Sequence, residues 1–263
     1  MQVVSSQSII LKHQDYKERD RLVTFLARDK GRMTGIARGA RNPKGRGVSA
    51  YEPFTRGVIY YVEKPGSDLV AIRKCDPQPP FFFLAADYDK FLFAGYMVEL
   101  IYLCPIQPGE AEPYFLLLAT ALERVLAEKK RPGLHLLRLD FELDFLNLLG
   151  VQPDWSRCAS CGRALLGQGE GQPPRVLLRG PAQFDPALNG LRCPDCRGGG
   201  AGLPDLAPGT LAFLAAWRRP ARPPGLRPTR NALAQLEQAI TRHMIHQIER
   251  EPRSLALLPA PEV

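Results

Sequence analysis

The chain has 263 residues, is 45% hydrophobic and 24% charged, and carries a net charge of +8 with a pI near 9.3. That length supports two or three small domains with cores of their own, and the excess of Lys and Arg favours an anionic partner. The most apolar stretch, Phe91 to Cys104, is too short to cross a bilayer and holds Glu99, which excludes a membrane span there.

Residues 1–80 read as β-structure. Apolar or β-branched runs at Val3–Leu11, Leu22–Ala27, Met33–Ala37, Val58–Val62 and Leu69–Ile72 are separated by turn signals such as Asp29-Lys30-Gly31 and Pro65-Gly66-Ser67. Five short strands suit a small closed barrel, because closure removes unpaired edges. An oligonucleotide-binding (OB) fold is the expected solution, with an SH3-like barrel as the alternative. This part is also the most basic, with 15 Lys and Arg against 8 acids. Arg28, Lys30, Arg32, Arg38, Arg41, Lys44 and Arg46 are opposed within their stretch by Asp29 alone. The glycine-spaced run from Arg38 to Arg46 lets the backbone approach phosphates while long side chains neutralise them. Tyr51, Phe54, Tyr60 and Tyr61 follow, and rings interleaved with cations are what single-stranded nucleic acid requires for stacking. The candidate nucleic-acid contacts are therefore Arg32, Arg38, Arg41, Lys44 and Arg46, with Arg56 and Lys74 as further candidates.

Residues 81–155 change character and are acidic, with 6 basic and 10 acidic side chains over 81–150. Apolar residues at helical spacing predict helices over Phe81–Cys104, Ala111–Lys130 and Leu134–Leu149, broken by Pro105–Gly109 and Arg131-Pro132-Gly133. Asp140, Glu142 and Asp144 alternate along the third and are expected in solvent.

Residues 156–200 hold the tightest chemical constraint. Cys158 and Cys161 form one C-x-x-C pair, Cys193 and Cys196 a second, 31 residues on. Each pair can fill half of a tetrahedral shell, and the two predict one four-thiolate zinc site. Such a shell leaves no position for water or substrate, so the zinc is expected to be structural. Arg175–Arg179 and Leu191–Cys193 are expected to form a hairpin between the two turns. Residues 201–263 then predict helices at Pro208–Trp217 and Thr229–Arg250, completing a helical domain into which the cysteine module is inserted.

Catalytic signatures are missing. There is no G-x-x-x-x-G-K-[ST] loop, G-x-S-x-G elbow or H-E-x-x-H pair. His243 and His246 read as ordinary helix residues, and Cys75 and Cys104 are isolated. The N-terminus shows no export signal, which with zinc-type cysteine spacing leads to the expectation of a reducing, cytoplasmic setting.

Several phrases, taken in order, resemble the bacterial RecO family of DNA repair proteins. They include Asp15-Tyr16-Lys17-Glu18-Arg19-Asp20-Arg21-Leu22-Val23-Thr24, Lys30-Gly31-Arg32, Ile36-Ala37-Arg38-Gly39-Ala40-Arg41 and Tyr51-Glu52-Pro53-Phe54. Further along come Leu148-Leu149-Gly150-Val151-Gln152-Pro153, Cys158-Ala159-Ser160-Cys161-Gly162, Gly190-Leu191-Arg192-Cys193 and the closing Arg253-Ser254-Leu255. The resemblance implies an α+β chain: an N-terminal five-stranded OB-fold barrel (1–80), a helical domain (81–155 and 201–263) and an inserted four-cysteine zinc module (156–200). It implies binding to single- and double-stranded DNA, strand annealing, and action with RecR and the C-terminal tail of single-strand-binding protein to help load RecA. It implies no enzymatic turnover and a nucleoid-associated cytoplasmic location. The alternative is a zinc-ribbon, OB-type RNA-binding protein of the translation or transcription apparatus.

Overall fold

A computed structural model describes residues 2–41, 49–78, 84, 86–167, 175–198, 202–219 and 222–261. The chain forms two compact units, Met1–Phe141 with Pro252–Pro259, and Glu142–Glu251 with Ala260–Val263.

In the first unit, strands β1 (Val4–Tyr16), β2 (Asp20–Ala27), β3 (Gly31–Ala37), β4 (Arg56–Val62) and β5 (Leu69–Pro77) close a barrel in the order β1-β2-β3-β5-β4. β1 pairs antiparallel with both β2 and β4, whereas β3 and β5 run parallel, with Ala37 opposite Ile72. This is the expected OB-type barrel. Alternation sends Val23, Phe25, Ile59, Tyr61, Val70 and Ile72 inward to one core. The interior is narrow: a Cβ on Gly35 would come within 2.7 Å of the Ile72 and Val70 side chains. Gly31 turns β2 into β3 at φ +77, where a Cβ would lie 2.4 Å from the Ile106 carbonyl oxygen, so no other residue fits.

Helices α1 (Tyr88–Leu103) and α2 (Ala111–Ala127), with α3 (Arg131–Leu148) up to Phe141, complete this unit. α1 begins at Tyr88 because the Asp87 carboxylate accepts the Lys90 N–H and caps its first turn. Phe81–Phe83, expected in that helix, lie outside the described residues. The carboxylates expected in solvent are not all there. Asp140 and Glu142 are buried, and Asp140 accepts from Arg124 at 2.8 Å, because α3 is packed on more than one side. The segment Pro252–Pro259 returns to this unit and is fastened to α1. The Glu99 carboxylate accepts from the Arg253 N–H (3.0 Å), the Ser254 N–H (2.8 Å) and the Ser254 hydroxyl.

The second unit is built on short strands: β6 (Asp154–Cys158), β7 (Leu166–Gly167), β8 (Arg175–Val176), β9 (Ala182–Asp185), β10 (Gly190–Arg192) and β11 (Asp205–Leu206). They form a sheet in the order β11-β9-β10-β6 and a separate β7-β8 ribbon. The expected hairpin between Arg175–Arg179 and Leu191–Cys193 is therefore corrected. Arg175 pairs with Gly167, and Leu191 pairs with Phe184. β9 was missed because its alternation, Ala182-Gln183-Phe184-Asp185, spans only four residues and its polar Gln183 and Asp185 are buried instead of facing solvent. Helices α4 (Pro208–Trp217) and α5 (Arg230–Ile248) pack on each other and on this module, α4 against β8 and α5 against β11. His243 on α5 is fully buried, meets Phe184 edge-on at 5.5 Å and lies 2.9 Å from the Val151 carbonyl.

Candidate nucleic-acid interface and metal centre

The metal centre follows from the pairing of β6 with β10. Leu191 lies opposite Cys158, and the Ala159 N–H donates to the Leu191 carbonyl at 2.7 Å, so the two cysteine turns start side by side. After Cys158 the chain reverses through Gly162 at φ +72, whose N–H donates to the Cys158 carbonyl at 2.9 Å. After Cys193 a short turn led by Pro194 brings the Cys196 N–H to 3.0 Å from the Cys193 carbonyl. The Arg163–Asp195 ion pair links the two turns.

All four sulfurs lie within 4.8 Å of one another, and the Cys161 and Cys193 sulfurs are 3.9 Å apart. A tetrahedral thiolate shell with Zn–S near 2.3 Å needs sulfurs about 3.8 Å apart, so the cluster has the size of that shell. Its electrostatics fit a cation as well. Burial would push the Cys158 thiol up, but N–H donors from Cys193, Cys161 and Ser160 and the Cys161 thiol outweigh it and bring it down to about 6. Cys196 is pushed up to about 12 by its hydrogen bonds to the Cys161 and Cys193 sulfurs. One thiolate thus forms readily while another resists ionising, which is how four crowded sulfurs behave until a soft cation neutralises them. All four cysteines expected as ligands are brought together.

The basic residues sort into two groups. Arg32 donates to the Tyr102 carbonyl and lies over the Tyr102 ring. Arg41 pairs with Asp15 at 3.2 Å and donates to the Lys17 and Glu18 carbonyls, fixing the β1–β2 turn. Arg56 pairs with Glu123 at 3.0 Å, and Lys74 with Asp76 at 2.7 Å. Lys44 and Arg46 lie outside the described residues. Arg38 differs from these, being exposed at the end of β3 with neither an ion-pair partner nor a side-chain hydrogen bond among the described residues.

Arg38 also has neighbours that sequence reading overlooked. Lys64, in the β4–β5 turn, and Arg73, on β5, line the same cavity of about 170 Å³, together with Ile36, Ser67 and Leu69. Both are exposed, and neither has an ion-pair partner among the described residues. A signal existed: once β3 and β5 are neighbours with Ala37 opposite Ile72, Arg38 and Arg73 must be adjacent. Elsewhere on the barrel, α2 supplies the compensating charge, Glu112 to Arg28 and Glu123 to Arg56. Arg38, Lys64 and Arg73 form an uncompensated group on the β3–β5 side, while Lys12, Lys17 and Arg19, on β1 and in the β1–β2 turn, also lack an acid partner among the described residues.

The aromatic expectation is corrected. Tyr51, Phe54 and Tyr61 are 8%, 4% and 0% exposed and belong to the interior. Burial, then the charge at Cys75, pushes the Tyr51 hydroxyl up to about 12. Tyr60 and Tyr61 are adjacent on a strand and must face opposite sides, so only Tyr60 reaches the surface.

Residues 1–81 match the family described as Recombination protein O N terminal, and residues 85–256 match Recombination protein O C terminal. The chain belongs to the RecO family. It is 34% identical to a DNA repair protein RecO of Anaeromyxobacter sp. (strain K), over 93% of this chain and 94% of that protein. It is 30% identical to DNA repair protein RecO of Desulforudis audaxviator, over 98% and 97% of the two chains. With that of Pelotomaculum thermopropionicum it shares 28% identity over 98% of this chain and 94% of the relative. RecO membership places the chain in DNA repair and recombination, and the OB-type barrel and four-cysteine cluster fall within the two matched regions.

Proposed function

We propose that this RecO-family chain is a non-catalytic recombination mediator that holds single- and double-stranded DNA on the β3–β5 side of its barrel and anneals complementary strands. The observation that carries this reading is the group Arg38, Lys64 and Arg73, three unpaired cations around one shallow cavity. Annealing needs no covalent step. Two polyanions repel, and a surface that neutralises phosphates of both lowers the barrier to their meeting. RecR, the tail of single-strand-binding protein and RecA are the partners that the family resemblance supports, acting in the cytoplasm at the nucleoid.

In this reading the four cysteines hold one structural zinc, with Cys158, Cys161, Cys193 and Cys196 as its ligands. The ion would tie the turn after β6 to the turn after β10. No step of annealing passes through it.

The test is a strand-annealing assay with two complementary oligonucleotides, bare and coated with single-strand-binding protein, with and without RecR. The wild-type chain should accelerate pairing of both, and the Arg38→Ala/Lys64→Ala/Arg73→Ala variant should lose most of that acceleration while folding normally. Equal acceleration by the variant would remove the β3–β5 face from the mechanism.

A further inference from the structure

The barrel sequence from Gln2 to Gln78 contains six aromatic residues, Tyr16, Phe25, Tyr51, Phe54, Tyr60 and Tyr61. Phe25, Tyr51, Phe54 and Tyr61 are buried, so none of their faces can meet a base. The two that reach the surface each carry an ammonium over one face. The Lys74 ammonium sits 5.5 Å from the centre of the Tyr60 ring, and the Lys17 ammonium 5.4 Å from that of Tyr16. A ring with an ammonium on its face is held by a cation–π contact, which a base stacking on that face would have to displace.

The surface beside the free cations is of another kind. Leu22, Thr24, Thr34, Ile36, Leu69 and Ala71 are the half-buried outward residues of β2, β3 and β5. The Thr24 and Thr34 hydroxyls are bonded to each other at 3.2 Å, so one of their two O–H donors is already engaged. The β4–β5 turn adds charge but no rings, reading Glu-Lys-Pro-Gly-Ser-Asp, and the sequence of residues 42–48, Asn-Pro-Lys-Gly-Arg-Gly-Val, holds no aromatic residue.

We infer that the barrel grips a DNA strand by its sugar–phosphate backbone alone and leaves the bases turned away from the protein, free to pair. This rests on the DNA-binding reading above and goes beyond it, because a stacking OB surface would engage the bases that annealing needs exposed. Arg38, Lys64 and Arg73 hold phosphates, and Ile36 and Leu69 contact sugars. A strand held this way presents its Watson–Crick edges to a second strand, and affinity is indifferent to base identity.

The experiment measures binding of the full chain to two labelled probes of equal length and charge, oligo-dT and an abasic tetrahydrofuran phosphodiester strand, across a salt series. The abasic strand should bind within about threefold of oligo-dT and with the same salt slope, because no stacking energy is lost. Thymines of the bound strand should react with permanganate as fast as those of the free strand. Tyr16→Ala and Tyr60→Ala should each change affinity by less than about twofold, where removal of a stacking ring costs about fivefold or more. A loss of about tenfold or more on the abasic strand, or protected thymines, would overturn the backbone-only grip while leaving DNA binding standing. Binding of neither probe would refute the DNA-binding reading and the grip together.

Discussion

Free and compensated cations on one barrel should behave differently toward DNA, and salt dependence separates them. Arg38, Lys64 and Arg73 have no acid partner among the described residues, so a phosphate gains each without displacing a carboxylate. Arg28 and Arg56 hold Glu112 and Glu123, and a phosphate reaching either must break an existing pair. Each phosphate contact adds about 0.7 to the log–log salt slope on single strands and about 0.9 on duplex. The Arg38→Ala/Lys64→Ala/Arg73→Ala variant should therefore lose about 2 units of slope on single strands and about 2.7 on duplex. On single strands, a fourfold rise in salt should then weaken the variant about 16-fold less than the wild type. The Arg28→Ala/Arg56→Ala control removes two charges of the same sign yet should leave the slope within about half a unit. Its cost falls on stability instead, under about 1 kcal/mol for each partly exposed pair. Fluorescence anisotropy across a salt series, with urea denaturation of both variants, measures all of this. If the control lowers the slope as much as the triple variant, compensation by α2 does not direct DNA and the reasoning fails.

Two further outcomes follow from the same structure. Cys158→Ser or Cys193→Ser should release bound zinc and lower Tm by about 5 °C or more, since metal binding is folding free energy in a small module; stoichiometric zinc in both variants, measured by chelator titration, would sink the four-thiolate assignment. Glu99→Ala should cost about 2 kcal/mol, because a half-buried carboxylate loses three hydrogen bonds, and amide exchange at Arg253 and Ser254 should speed up. Burial alone would raise the Glu99 pKa, but the Ser254 and Arg253 donors outweigh it and lower it, so this contribution is present above the ordinary glutamate range and fades as pH falls through the depressed value. Unchanged exchange at Ser254 in the variant, or a stability gap from wild type that persists at acid pH, would contradict this account.

The parts of the fold that sequence exposed were those governed by local periodicity. Alternation located all five barrel strands, and apolar runs bounded by Pro and Gly located α1 to α5, although α1, α3 and α4 are buried on more than one side. Strand ends escaped. β5 continues to Pro77 and β4 starts at Arg56 because Gly57 pairs with Pro77 across the sheet, a partner no local window contains. The cysteine turns were legible because metal geometry is written into a three-residue interval. Which cations are free was illegible: the acid that neutralises Arg28 lies 84 residues away, and the one that neutralises Arg56 lies 67 away. Composition counts Arg56 and Arg38 alike, and only packing tells them apart.

The same distinction bears on why the candidate interface lies where it does. A barrel with 15 basic residues in its sequence segment could attract DNA from several sides, and the charge balance alone selects none of them. α2 places Glu112 and Glu123 over Arg28 and Arg56, Tyr102 accepts Arg32, and Asp15 takes Arg41. Each ion pair serves packing and at the same time subtracts a cation from the attractive field, whereas Arg32, bonded to a neutral carbonyl, keeps its charge. In the β4–β5 turn Glu63 lies 3.9 Å from Lys30, which leaves Lys64, next in sequence, unpaired. Specific placement of acid, more than the excess of base, therefore removes Arg28, Arg56 and Arg41 from the attractive surface and leaves the β3–β5 group available. Replacing those acids should spread DNA binding over the barrel and, at low salt, raise affinity while impairing annealing, because strands held on different sides cannot meet.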